Sequence, residues 1–190
     1  MKRSPTVLLS VSFVSLLVLA GCAAPGATGT ATSVGIDGEA CEGRVPDAVS
    51  GLVPSDNPAL LRQARLASGK GGTCTARVFA VQEPVTLYRV FDSTVPYSRF
   101  GGWWSATPPT GTQDSYRQAF AICPTWSRLD RVISCQVHPG TQVVVGTTQS
   151  VDCGDGRVFP KTAEIQVFVP NNGEKGIFHT GACSPPAVWP

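Results

Sequence analysis

An arginine in the middle of an apolar strand is the first residue of this sequence whose type and position could do chemistry. Arg89 lies in the segment 85–91, whose alternating side chains have the period of a half-buried strand. Its neighbours on the same strand face are Leu87 and Phe91. An unpaired buried guanidinium is very costly, so Arg89 must reach water at an edge, pair with a structural carboxylate or bind an anion. The sequence alone leaves these three options open.

A run of aromatic and glycine residues follows this strand at 100–105. Gly101 and Gly102 allow the backbone to approach a bound molecule closely, and the adjacent indoles of Trp103 and Trp104 could hold a flat ring between them. Ser105 ends the run with a hydroxyl. The alternative interpretation is that both tryptophans only anchor the core or a loop.

A third polar pair lies on a later predicted strand, 163–170. Glu164 and Gln166 are two residues apart, so their side chains share one face of that strand. Both can accept hydrogen bonds from hydroxyl groups, but the Gln166 amide can neither carry charge nor take a proton. The alternative is that Gln166 is an ordinary solvated strand residue.

In chain order these segments read Leu87-Tyr88-Arg89-Val90, then Trp103-Trp104-Ser105-Ala106-Thr107, then Ala163-Glu164-Ile165-Gln166-Val167-Phe168-Val169-Pro170. The pattern resembles the arginine, aromatic-Ser-x-Thr/Ser and Glu-x-Glu strand segments of ADP-ribosyltransferase-like proteins. It is more similar still to NAD glycohydrolase toxins of the tuberculosis-necrotizing-toxin type, which have glutamine at the final catalytic position. The resemblance covers about residues 86–170.

The resemblance implies NAD as the substrate, with no further cofactor required. Arg89 would hold the diphosphate, because a guanidinium fork offers paired donors to phosphate oxygens. Trp103 and Trp104, with Phe100 beside them, would hold the nicotinamide ring.

The ribose would lie next to the remaining candidates. Ser105 would shape the ribose pocket, and Gln166 or Glu164 would accept hydrogen bonds from the ribose hydroxyls and stabilise an oxocarbenium-like state. Glu164 stands at the earlier position of the pair and Gln166 at the later one, where transferases generally have glutamate. This departure favours hydrolysis, with water as the acceptor, over transfer to a protein.

A second function from another class is also compatible with these residues. A non-enzymatic envelope protein could bind a glycan, a peptide or a protein partner through an aromatic cleft. That hypothesis predicts that Trp103 and Trp104 form an exposed patch without Arg89 beside them.

The first residues indicate export. Lys2 and Arg3 precede an apolar run, 7–20, that is short for a membrane span and typical of a secretory signal. The sequence Leu19-Ala20-Gly21-Cys22 resembles a bacterial lipobox, which implies cleavage after Gly21 and a lipid anchor on Cys22. The predicted location is therefore the bacterial cell envelope, at the outer membrane or cell surface. The alternative is an ordinary signal peptide with an incidental cysteine.

Six further cysteines form an even set in an exported chain and predict three disulfides. They are Cys41, Cys74, Cys123, Cys135, Cys153 and Cys183. Spacing does not determine the pairing, although the nearness of Cys123 and Cys135 favours a local loop between them.

The domain prediction is a signal peptide at 1–21, a flexible tether at 22–38 and one folded domain at 39–190. Short helices are predicted near 56–67 and 112–121, among strands near 74–82, 85–91, 132–137, 142–145, 147–151, 165–169 and 178–182. This is an α+β pattern. Together with the resemblance it predicts a single compact domain with a mainly antiparallel split β-sheet, short helices and three disulfides.

Other chemistries find little support in the sequence. Gly69-Lys70-Gly71-Gly72 lacks the preceding strand and the ending of a phosphate-binding loop and is predicted to be a turn. His138, His179 and the aspartate-containing glycine turns at 152–156 do not have the spacing of a metal site. A net charge of +2 without a basic cluster argues against nucleic acid as a partner. The expected partners are NAD, a membrane and an immunity protein.

Replacing Cys22 tests the lipid anchor. We expect the full chain with Cys22→Ser, expressed in a bacterium, to lose labelled palmitate and to leave the detergent phase in a partitioning assay, because the acylated side chain is gone. A variant that still partitions into detergent like the parent would contradict the lipobox.

Overall fold

The computed structural model describes residues 33–67 and 69–190. The predicted signal peptide, the lipidation site at Cys22 and the first part of the predicted tether lie outside the described residues. Two helices are present in the described part, α1 (Pro58–Ala64) and α2 (Gln113–Phe120), together with a 3₁₀ turn at Ser98–Phe100. The strands are β1 (Leu52–Pro54), β2 (Thr73–Val81), β3 (Val85–Phe91), β4 (Trp103–Ser105), β5 (Arg131–Val137), β6 (Gln142–Thr148), β7 (Val151–Asp152), β8 (Val158–Phe159), β9 (Thr162–Phe168), β10 (Thr180–Gly181) and β11 (Ala187–Val188).

Nine of these strands form one antiparallel sheet in the described chain. Its order is β1-β2-β6-β9-β4-β3-β5-β10, and β11 also pairs with β5. Strands β7 and β8 form a separate two-stranded ribbon. The predicted α+β fold, a single compact domain with a mainly antiparallel sheet, is confirmed.

Strands β3 and β4 are the neighbours in the main sheet with the least backbone pairing. These strands share a single register pair, Tyr88 with Ser105, whereas β3 pairs with β5 along its whole length. The sheet is therefore split into two halves that meet at one point. Arg89 lies immediately beyond that point.

Each face of the sheet packs its own core. On one face, buried residues of both halves form the main cluster, with Phe79, Leu87, Ile133 and Val143 among its members. A cluster that joins strands so far apart in the sheet order requires the sheet to curl over itself. The other face is covered by the two helices.

Sequence features set the positions of both helices. Asn57 caps α1 by accepting a hydrogen bond from the backbone N–H of Leu60 at 3.0 Å, and Pro58 occupies the first turn. Thr112 and Ser115 form a capping box at the start of α2. Helix α1 buries Leu60 against β2 and β6, and α2 buries Tyr116 against Val90 of β3.

The three predicted disulfides are present, as Cys41–Cys74, Cys123–Cys153 and Cys135–Cys183. The predicted loop between Cys123 and Cys135 is wrong. Cys135 points from β5 into the main core, where Cys183 meets it, whereas Cys123 belongs to the small cluster behind α2 with Val151. The two cysteines are neighbours in sequence but lie in different cores.

The segment 142–148 is one continuous strand, and the predicted interruption at Gly146 is wrong. Gly146 pairs with Ala76 in register, and a Cβ there would lie 2.6 Å from the Thr73 side chain. Glycine is needed at this position because the neighbouring strand is too close for a side chain, not because the chain turns.

The described chain begins with a small closed turn. Val34 forms a bridge with Ala40, and Lys161 Nζ donates to Asp37 Oδ1 at 2.9 Å.

No helix in the described residues is long and apolar enough to cross a membrane.

A β-bulge between β2 and β6 is closed by two threonine hydroxyls. The register shifts between Thr73 and Ala76, and there the Thr75 and Thr147 Oγ1 atoms lie 2.8 Å apart. Each hydroxyl also accepts a hydrogen bond from the backbone N–H of the other residue, at 3.2 Å. Both residues are buried, so these hydroxyls replace ladder hydrogen bonds that the bulge interrupts.

We expect Thr75→Val to lower the free energy of unfolding by about 1–3 kcal/mol, because it leaves a buried N–H and a buried hydroxyl without their partner. Thr86→Val, the same change at an exposed strand position, should stay within about 0.5 kcal/mol of the parent. Urea denaturation with the disulfides intact measures both. Equal effects of the two substitutions would show that the bulge hydroxyls are not needed.

Candidate functional site

A cavity of about 170 Å³ opens where the sheet splits. It is lined by Arg89 of β3, Trp103 and Trp104 of β4 and Gln166 of β9. Helix α2 closes one side with Tyr116. The cavity is about as large as an engineered protein cavity that binds a single benzene ring.

Backbone carbonyls hold the Arg89 guanidinium across the split. Its Nε donates to the carbonyl of Ser98 at 2.6 Å, and its Nη1 donates to the carbonyl of Trp103 at 2.5 Å. Among the described residues Nη2 donates no hydrogen bond, and no carboxylate forms an ion pair with Arg89. The structural carboxylate considered for Arg89 is therefore not found in this part of the chain.

Gly101 makes room for this arrangement. A Cβ at Gly101 would lie 2.7 Å from the Cζ of Arg89 and closer still to Nη2. The backbone of Gly101 is extended, with φ of −69°, so glycine is required here for space and not for a left-handed conformation.

The charge on Arg89 persists in this setting. Burial lowers the pKa of Arg89 to about 10, which still leaves the guanidinium protonated at neutral pH. Burial also raises the pKa of Tyr116 to about 12, so the phenol beside it stays neutral. The described lining contains two cations, Arg89 and Lys70, and no carboxylate. The cavity thus favours an anionic ligand.

Gln166 lies in the interior of the same cavity, 6% exposed. Its Nε2 donates to the carbonyl of Gly72 at 2.6 Å, which directs the amide and leaves Oε1 as an acceptor. Its position follows from the sheet, where it pairs with Ser105 on one side and Gly146 on the other.

The two predicted tryptophans have different environments. Trp104 is 2% exposed, packs in the main core and donates from Nε1 to the Gly101 carbonyl at 2.8 Å. Trp103 is half-buried on the opposite face, with its ring centroid 5.0 Å from that of Phe168. Consecutive strand residues point to opposite faces, so the two indoles cannot sandwich one ring between them.

Ser105 and Glu164 face a neighbouring cavity of about 250 Å³. Tyr116 and Phe120 line both cavities and form the wall between them, with ring centroids 4.5 Å apart. Ser105 Oγ donates to the Thr107 carbonyl at 2.7 Å, and Glu164 is exposed. The structure thus brings Arg89, Trp103, Trp104 and Gln166 to one cavity. Ser105 and Glu164 line the neighbouring cavity instead.

Sequence reasoning missed several lining residues, among them Lys70, Tyr116 and Trp126. The segment 69–72 does not match a phosphate loop, so the sequence predicts only a turn around Lys70. Trp126 follows the end of α2 without any motif around it. A tryptophan in a short loop is the only signal that the sequence offers there. In the structure, 52% of the Trp126 surface is exposed.

The segment 149–153 ties the two rim segments, 69–72 and 121–129, to one another. Gly71 N donates to the carbonyl of Ser150 at 3.1 Å, and the Cys123–Cys153 disulfide links the other rim segment to the same segment, 149–153. Arg117 of α2 adds a hydrogen bond of 2.6 Å to the carbonyl of Ser127. The rim is therefore fixed by covalent and backbone bonds, together with a small apolar cluster that Ala121 and Cys123 form with Val151.

No cluster of three or more metal-ligating side chains occurs within residues 33–67 and 69–190. His138 and His179 lie together beside another surface depression, away from Arg89.

Comparison with known proteins adds little to this picture. The sequence matches no protein-family profile and no curated protein. A solved structure of Tne2 in complex with Tni2 is similar to this chain, with a TM-score of 0.47 and 18% identity over 61% of this chain and 93% of the matched chain. So distant a likeness carries no information about substrate or activity.

We expect loss of the Cys123–Cys153 disulfide to loosen the rim selectively. With both cysteines replaced by serine, trypsin should cut after Lys70 and Arg128 at least about tenfold faster, because one tie between the rim segments is gone. The Cys135→Ser/Cys183→Ser variant serves as control, since that disulfide lies in the main core. Mass spectrometry of the early fragments, below the unfolding temperature of both variants, gives the result. Equal cleavage at these two sites in both variants would contradict the rim assignment.

Proposed function

We propose that this protein hydrolyses NAD at the bond between nicotinamide and ribose. The observation that carries the proposal is a guanidinium without a carboxylate partner in the described chain, Arg89, lining the same ring-sized cavity as the Gln166 amide.

The charge of the cavity fits a diphosphate ligand. Two donors of Arg89 are already committed to carbonyls, which fixes the guanidinium plane and leaves Nη2 for a phosphate oxygen. A bound diphosphate would supply the anion that the described residues do not provide. A preformed donor of this kind loses little side-chain entropy on binding, so more of its interaction energy is available for affinity.

The size and walls of the cavity fit the nicotinamide ring. A volume of about 170 Å³ accepts one six-membered ring but not a whole dinucleotide. Trp103 and Tyr116 provide apolar and aromatic surface for that ring.

Gln166 would act on the ribose. Its Oε1 can accept a hydrogen bond from a ribose hydroxyl, which becomes a better donor as positive charge develops on the sugar. The bond from C1′ to the nicotinamide nitrogen breaks, and its electron pair leaves with the ring, which becomes neutral. A water oxygen then bonds to C1′ and releases its proton to solvent, giving ADP-ribose. Because the leaving group is neutral, the step needs no acid on the enzyme.

The neighbouring residues have supporting roles in this proposal. Ser105 positions Gln166 through their register pair, and Glu164 makes no contact with the ribose. The acceptor in this proposal is water, following the departure from the transferase pattern at Gln166.

The alternative of an exposed tryptophan patch has less support. Trp104 is buried, and Trp103 shares its cavity with Arg89. A lipid anchor on Cys22, a place in the cell envelope and an immunity partner belong to the proposal as well, and they rest on the sequence resemblance alone.

The test is hydrolysis of NAD by the full chain, purified in detergent with oxidised disulfides. We expect Gln166→Leu to lower kcat by about 10²-fold, as for loss of one transition-state hydrogen bond. Arg89→Met should raise KM at least about tenfold, because a charge-assisted bond to the diphosphate is lost.

Matched controls come from the surface of the same sheet. Gln136→Leu and Arg77→Met remove the same groups from exposed strand positions, and both should keep the activity of the parent. No release of nicotinamide by the parent would disprove the function. Turnover that survives both site substitutions would disprove the assignment of the site while leaving the activity.

A further inference from the structure

The cavity has a gradient of exposure from its floor to its rim. Gln166 and Trp104 at the floor are buried, Arg89 is half-buried, and Lys70 and Trp126 are exposed. The cavity therefore opens to solvent on the side of Lys70 and Trp126. A long ligand must enter from that side and leave its distal part against these two residues.

Lys70 and Trp126 both line the cavity on this side. The six-membered ring of Trp126 is 3.7 Å from the position that a Cβ would occupy at Gly71, next to Lys70. Lys70 forms a backbone bridge with Val151 but no ion pair within the described residues. An ammonium with no ion pair in the described chain and an exposed indole on the same side of the cavity offer one contact to a phosphate and one face to a flat ring.

We propose that Lys70 and Trp126 form an outer site for the adenylate half of the substrate, an inference that rests on the proposed function. With nicotinamide at the floor and the diphosphate at Arg89, the second phosphate reaches Lys70. The adenine then stacks on the exposed face of Trp126. The pair would thus select a dinucleotide over a mononucleotide with the same nicotinamide ribose.

Two observations support this division of the ligand. The cavity accommodates one ring only, so the second ring of a dinucleotide must bind outside it. Trp126 is also held in place: its backbone N–H donates to the Cys123 carbonyl at 2.9 Å, beside the disulfide to Cys153. A backbone fixed at Trp126 reduces the freedom that is lost when a base stacks on the indole.

The experiment compares NAD with nicotinamide mononucleotide, using the full chain in detergent. Trp126→Ala should lower kcat/KM for NAD by about 10- to 100-fold, the usual effect of losing one base-aromatic stack. It should change kcat/KM for the mononucleotide by less than about twofold, because that substrate lacks adenine. Lys70→Gln should lower kcat/KM for NAD about tenfold, with a weaker dependence on salt.

Matched surface variants control for general effects. Tyr97 is 53% exposed, close to the exposure of Trp126, and does not line the cavity. Tyr97→Ala should leave both substrates unaffected. Lys175→Gln in the exposed turn at 172–176 is the control for Lys70→Gln.

Calorimetric binding of ADP-ribose provides a readout that does not need turnover. Trp126→Ala should weaken it at least about tenfold. NAD hydrolysis that keeps its preference over the mononucleotide in both variants would overturn the outer site and leave the proposed function. Trp126-dependent binding of ADP-ribose without any NAD hydrolysis would overturn the proposed function and leave the outer site. If the protein neither hydrolyses NAD nor binds ADP-ribose, both the proposed function and the outer site are overturned.

Discussion

The Arg89 guanidinium spans the gap between β3 and β4, donating to the Ser98 and Trp103 carbonyls. These strands share only one register pair, and the ladder cannot continue where the arginine stands. Gly101 is part of the same arrangement, because any side chain there would collide with the guanidinium. A charge placed in the split keeps the sheet open at that point. The cavity exists because the two halves of the sheet do not close over it.

The walls of this cavity have two sources of rigidity. The floor is sheet and helix, with Gln166 directed by the Gly72 carbonyl and Trp104 fixed in the main core. The rim consists of loops tied to 149–153 by backbone hydrogen bonds, by one disulfide and by the small apolar cluster around Cys123. Disulfides serve this role in small domains whose core cannot order every loop. The site thus combines a rigid interior with a cross-linked entrance.

The elements were predictable wherever local pattern decides them. Alternation of side chains indicated β3, β5 and β9, and capping residues indicated both helices, since these signals act within a few residues. The predicted interruption at Gly146 is wrong because glycine is required there by the close approach of β2 and not by a turn. The Cys123–Cys135 pairing failed for a related reason, because separation along the chain does not tell which core a cysteine faces.

The candidate site was likewise predictable in its local features and not in its long-range contacts. The sequence by itself determined that Arg89 stands in an apolar strand, that Gln166 lies on a strand with Glu164, and that aromatic residues flank Gly101 and Gly102. Only the tertiary structure decided that Arg89 meets carbonyls instead of a carboxylate in the described chain, and that Tyr116 separates Glu164 from Gln166. It also brought Lys70 and Trp126 to the entrance. Local sequence fixes the type and face of a side chain, whereas its partners come from segments distant in the chain, whose approach depends on how the whole sheet curls.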